Sequence, residues 1–380
     1  MRSPAGVGLR EDLPDAKNAR ITQLDGLRGL AALIVVVHHA LLVSPALADA
    51  YGQAGRAGLT GAAWWLTHTP LHLLWDGTSA VFLFFVLSGF AVSLPFLGAR
   101  PPRWRDYYPR RLARLYVPVW GAVGFAVLMA VLVPRVARPD QSWWINAHAI
   151  EVNASAIAHD ATLLFGTTWL NSPVWSLRWE VWFSLALPLY LWVTVRAKKV
   201  WWLWLGVMAV MILLRPNEYA FYLSMFGIGV VMAVHRNHLA GLTSNLPRWA
   251  WPGLAVLALL LTNASWYWMD VPAELLLTLV GTSLLVFIFL GWPTAKRLGD
   301  ARPVQWLGKR SFSLYLVHEP IVVSLAMLLP AQNALIALAV SLPLSLLAAA
   351  TFYRLVEHPA HRFARGIANP REQREPLSTR

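Results

Sequence analysis

Apolar runs of about twenty residues recur along almost the whole chain. Such a chain satisfies its backbone in a bilayer only by folding those runs into helices packed side by side. A soluble domain of 380 residues does not carry 57% hydrophobic and only 13% charged residues. The runs predict ten helices, near 28–48, 74–97, 113–133, 175–195, 200–214, 218–235, 250–268, 273–292, 311–329 and 332–354, the fifth and sixth being short. The expected fold is an all-α integral membrane bundle over 21–358, flanked by polar, basic tails at 1–20 and 359–380, the last of them disordered beyond about Phe363. The longest connection, 134–174, carries Trp143, Trp144 and Trp169 and is expected to lie along the membrane interface.

The formal charge of +13 does not point to nucleic acid, because of where the charge falls. Of the 32 Lys and Arg, 26 lie in alternate connections and in the two tails, against four in the remaining connections. That alternation is the positive-inside pattern. It predicts cytoplasmic termini, an even number of spans and an inner or plasma membrane location, with the lipid bilayer as the first partner. There is no cysteine, which excludes disulfides, thiolate metal sites and a thioester on the protein itself. No phosphate-cradling glycine motif, HExxH or EF-hand sequence is present, and the eleven histidines are dispersed, so no metal site is expected. The SPALA stretch before Asp49 resembles a signal-peptidase site, but nine further spans and two histidines in the preceding apolar run predict that it is retained.

Within the first run, LDGLRGLAALIVVVHHALLV, two ionisable residues share a face. Eleven positions at about 100° each bring His39 back to within about 20° of Arg28. At about 1.5 Å per residue they stand about 16 Å apart, so the guanidinium is expected near one membrane surface and the imidazole near the midplane. Ionisable groups at such depth are costly and mark function. His38 points to another face and is expected to contact a neighbouring helix.

Further elements sit at span ends: FFVLSGF at 84–90, RRLARLY at 110–116, NSPVWSLRWEVWFSL at 171–185, SFSLYLVHEP at 311–320 and YRLVEHP at 353–359. Together with LDGLRG they resemble, in order and over nearly the whole chain, the membrane-bound acyltransferase 3 family. The resemblance implies a multi-span enzyme that moves an acyl group, commonly acetyl, from acyl-CoA to a hydroxyl of a glycan, lipid-linked sugar or related acceptor. Acyl-CoA would be a co-substrate, with no bound cofactor. Some relatives carry a soluble domain that completes transfer, so a separate extracytoplasmic partner is a further expectation.

His39 is the expected catalytic group, since imidazole removes a hydroxyl proton near neutral pH. It could act as general base or carry the acyl group itself. Arg110, Arg111 and Arg114 are either ordinary cytoplasmic anchors or, with Arg28, a phosphate-binding set for the donor. Asp25 is expected to pair with a nearby arginine. Glu180, matched by the family's Trp-Ser-Leu pattern, is expected either to hold the acceptor or orient a catalytic group, or merely to cap its helix. Tyr315 and His318 lie three residues apart on one side of the ninth span and are expected to line a cavity or to pack, with Glu319 following. Glu357 is expected to be structural, with an arginine partner or at a helix terminus, and Ser88 is read as a packing position. The competing functional class is a transporter or flippase for a polar lipid or glycan, using the same buried groups to line a passage.

Overall fold

The computed structural model describes residues 21–52, 58–164, 166–267, 273–329 and 334–367. The predicted tail 1–20 and residues 368–380 lie outside them; the segment from His358 to Ile367 is helical.

Among the described residues there is no strand, and ten helices have thirteen residues or more. They are α1 (Thr22–Leu41), α2 (Gly77–Ser93), α3 (Trp104–Leu132), α4 (Trp175–Arg196), α5 (Trp201–Leu214), α6 (Glu218–Val234), α7 (Ala250–Thr262), α8 (Glu274–Gly291), α9 (Arg302–Leu328) and α10 (Ala334–Phe352). Each falls on one of the ten expected apolar runs. As membrane spans they number fewer than expected. Seven helical stretches are long and apolar enough to cross, or eight if α6 and the helix Arg236–Asn245, bent by 71°, count as one. The shortfall is one of length. At about 1.5 Å per residue, α7 reaches only about 20 Å, short of a ~30 Å hydrocarbon core, and α5 joins α4 in one helical stretch, Ser172–Leu214.

The centre of the bundle is α9. Twelve consecutive residues, Ser313–Ser324, are buried, so this helix is enclosed on every side rather than along one stripe. Polar groups on any of its faces therefore meet protein. Pro320 removes a backbone donor and frees the Leu316 carbonyl, which accepts from Asn171 Nδ2 at 3.0 Å.

Helix α1 packs closely on α9 because its glycines leave room. A Cβ on Gly29 would stand 2.4 Å from the Gly308 backbone nitrogen, and one on Gly26 2.1 Å from the Gly299 carbonyl oxygen in the short helix Pro293–Asp300 that precedes α9. This explains the small residues of LDGLRG in packing terms. Gly29→Val is expected to force the two helices apart, costing about 1–3 kcal/mol and lowering acyl transfer with it. Thermal unfolding of the detergent-solubilised variant checks this; an unchanged melting temperature would show that the contact is dispensable.

Pro45 fixes where α1 stops. Its ring would clash with the Leu41 carbonyl, so the chain turns and Pro45 starts the short helix Pro45–Tyr51. The buried Leu47, Ala48 and Ala50 of that helix make the SPALA stretch an integral part of the fold.

Candidate functional site

The early end of α1 changes where His39 falls along its helix. The helix begins six residues before Arg28 and ends two residues after His39. The imidazole therefore stands in the last turn, not halfway along. It is nonetheless enclosed, because part of the connection 134–174 packs against it. The short helix Trp143–Ala147 puts the Trp144 ring 5.2 Å from that of His39 at 17°. Trp144 is buried, while Trp143 and Trp169 are exposed.

Around His39 the hydrogen bonds fix a tautomer. His318 Nδ1 lies 3.0 Å from the Leu314 carbonyl oxygen, which can only accept, so Nδ1 carries the proton. In neutral His318, Nε2 is then an acceptor, and His39 Nδ1, 2.7 Å away, must donate to it. His39 Nε2 is left with its lone pair, the form a general base requires. The two rings are within 5° of parallel. Glu319 Oε2 stands 3.7 Å from His39 Nδ1, placed to favour the imidazolium once a proton has been taken up.

Glu319 is itself held tightly. It accepts from the Ser172 N–H at 2.6 Å, from Ser172 Oγ at 2.6 Å and from His148 Nε2 at 2.9 Å. Three donors around one carboxyl group suit the ionised form. His148 is buried, and its Nδ1 lies 2.7 Å from the Trp144 carbonyl oxygen. Both ring nitrogens thus face oxygen atoms of the surrounding chain. The connection bearing His148 is pinned by Arg135, which donates to the carbonyls of Trp169 and Leu170, and by Asp160, which accepts from the Thr168 and Asn171 N–H groups. Burial pushes the Asp160 carboxyl up to about 6 against the pull of those N–H donors.

A second feature is a cavity of about 750 Å³ at the other end of α1. Its wall includes Arg28, Arg110, Arg111, Arg114, Lys309, Glu180, Ser176 and Tyr315, so all but two of the predicted site residues meet there. His39 and His318 are not among the residues lining it. Arg28 pairs with Asp25 at 3.7 Å, as expected of that aspartate. Arg111 lies 3.4 Å from Glu180 Oε2 and donates to Ser184 Oγ at 3.0 Å. Arg110, Arg114 and Lys309 form no ion pair among the described residues, and Arg110 Nε is buried without a hydrogen-bond partner.

Several expectations change here. Glu180 does not cap α4: it sits in the second turn, accepts from Ser88 Oγ at 2.7 Å and pairs with Arg111. Ser88 is accordingly a polar wall residue; the packing position is its neighbour Gly89, whose missing Cβ admits the Phe226 carbonyl. Glu357 forms no ion pair with an arginine among the described residues; it accepts from the Ser313 backbone N–H and hydroxyl. His38 does pack as expected, its Nδ1 lying 2.8 Å from the Trp75 carbonyl oxygen.

Tyr315 joins the two features. Its hydroxyl donates to the Pro173 carbonyl at 2.9 Å and lies 2.8 Å from Ser176 Oγ, while its ring centroid is 6.1 Å from that of His318. With the Asn171–Leu316 and Ser172–Glu319 bonds, these contacts knit the NSPVWS segment to SLYLVHEP residue by residue.

An apolar bundle that buries this many ionisable groups is built to act on something polar within or across a membrane. Its class follows from the chain as a whole, for residues 21–354 match an acyltransferase domain, that of the acyltransferase 3 family. The protein belongs to that family, and with its several apolar helices it is a multi-pass membrane acyltransferase. No curated protein and no solved structure matches it significantly.

Proposed function

We propose that the protein transfers an acyl group, acetyl being the expected one, from acyl-CoA to a hydroxyl of a glycan or lipid-linked sugar. The observation that carries this reading is the hydrogen-bond chain from the Leu314 carbonyl through His318 to His39, which leaves His39 Nε2 free to accept a proton. As the acceptor oxygen attacks the thioester carbonyl, its proton passes to Nε2. The new C–O bond forms, the C–S bond breaks, and the proton is returned to the departing CoA thiolate. Glu319 would stabilise the transient imidazolium, with His148 and Ser172 holding the carboxylate in place.

The basic cavity supplies the donor site in this scheme. Arg110, Arg114, Lys309 and Arg28 are the cations suited to phosphate oxygens. Arg111, already engaged by Glu180, keeps that wall in shape. Glu180 is then a positioning residue on the donor side rather than the partner of His39. The cavity lies at the end of the bundle where charge asymmetry predicts cytoplasm. An acceptor would approach from the opposite end, where the His39 side chain remains 13% exposed. That arrangement lets a cytosolic donor modify an outward-facing hydroxyl of the cell envelope.

Binding of CoA to the purified protein, followed by calorimetry, tests the donor site. Arg110→Ala and Arg114→Ala are each expected to weaken CoA about tenfold or more, the loss of a charge-assisted phosphate contact, and to flatten its salt dependence. Affinity indifferent to both substitutions would refute the donor assignment. Transfer of labelled acetyl to envelope glycans tests the reaction; lipid translocation without any acyl donor would favour the transporter reading instead.

A further inference from the structure

The donor cavity and the catalytic imidazole do not meet, and one side chain stands where they would. Along α9 the lining of the cavity runs from Gly308 to Tyr315, about 10 Å of helix. One turn further on is His318, bonded to His39 and absent from the lining. Tyr315 is buried, with its ring edge-on to Phe84 at 5.6 Å. Its hydroxyl is tied at both available positions, to the Pro173 carbonyl and to Ser176 Oγ. A thioester arriving in the cavity has its carbonyl carbon on the wrong side of this ring.

We infer that Tyr315 is a specificity-determining gate. It closes the inner end of the cavity, swings off Ser176 and Pro173 to let the thioester reach His39, and by its bulk restricts the enzyme to short acyl chains. The inference rests on the donor reading above. Rotation about the side-chain torsions is the motion needed, and the latch is two neutral hydrogen bonds, weak enough to open in each turnover. What lies behind the ring argues for the length limit. Directly behind the ring stand the His39–His318 pair and the Glu319 cluster, polar groups that an extended hydrocarbon chain would have to displace, and none of them lines the separate apolar cavity of about 540 Å³ that α9 borders from Val317 to Leu328.

The test compares acetyl-, butyryl- and octanoyl-CoA as donors to one acceptor, with the full chain in lipid nanodiscs. The wild type is expected to prefer acetyl over octanoyl by at least tenfold in kcat/KM. Tyr315→Ala is expected to raise the octanoyl-to-acetyl ratio tenfold or more while leaving the affinity for CoA itself within about twofold. Tyr315→Phe, which keeps the ring and removes both bonds, should change kcat without changing that ratio. If Tyr315→Ala does not fold, Tyr315→Leu serves, since it shortens the side chain and keeps it apolar. A wild type equally active on octanoyl-CoA, or a chain-length profile unmoved in a folded Tyr315→Ala or Tyr315→Leu variant, would overturn the gate. If CoA affinity responds to Arg110→Ala while the profile ignores Tyr315, the gate alone falls. If CoA does not bind at all, the donor reading falls with it.

Discussion

His39→Ala is expected to cut acyl transfer by about 10²–10⁴-fold while CoA affinity stays where it was. The separation of effects follows from position. His39 does not line the cavity that would hold the donor, so removing its ring takes away proton transfer without touching the phosphate contacts. The substitution leaves a gap beneath Trp144 and a His318 Nε2 without its donor, so the variant should be somewhat less stable yet folded. Single-turnover rates with labelled acetyl-CoA, beside the CoA dissociation constant, give both readouts. The same material separates two mechanisms. With donor and no acceptor, a covalent acyl-histidine would leave label on the wild-type protein and none on His39→Ala, whereas a general base leaves label on neither. A folded His39→Ala protein with wild-type turnover would remove His39 from the chemistry altogether.

How much of this was legible in the chain depends on which contacts are local. Runs of apolar residues marked the ten longer helices, because burial in lipid or protein demands the same composition; they did not mark short ones such as Trp143–Ala147 and His358–Ile367. They did not mark which helices cross, since α5 and α7 are apolar but short. The eleven-residue spacing of Arg28 and His39 put them on one face, while the end of α1 turned on Pro45, seventeen residues past Arg28, inside what reads as one continuous apolar run. The pairing of Arg111 with Glu180 could have been anticipated, for two opposite charges on neighbouring spans rarely stay apart. His148 could not. It lies in a connection with no periodicity, and only the fold of that connection over α1 and α9 brings it to Glu319. Glu319 itself sits beside His318 at 100° around the helix, a different face on a surface helix; burial of α9 on all sides lets both faces serve one cluster.

Glu319 is where the second large effect is expected, and its two substitutions should differ in kind. Glu319→Gln keeps the shape. Its amide oxygen can still accept from His148 Nε2 and the Ser172 N–H, and its amide nitrogen can donate to Ser172 Oγ once that hydroxyl turns. What is lost is the charge 3.7 Å from His39 Nδ1, so turnover should drop by roughly 10²-fold with only a modest loss of stability. Glu319→Ala removes the partner as well as the charge. His148 Nε2 and the Ser172 donors would be left buried without their acceptor, which costs about 1–3 kcal/mol for each unsatisfied group. Unfolding of the two variants in detergent, set against their turnover, distinguishes the roles. Changing His148 to Gln in each background closes a double-mutant cycle, expected to show about 1–3 kcal/mol of coupling between positions 148 and 319. Were Glu319→Gln fully active, the carboxylate would be a structural clamp for Ser172 and His148, and the stabilisation of a charged His39 would have to come from another group.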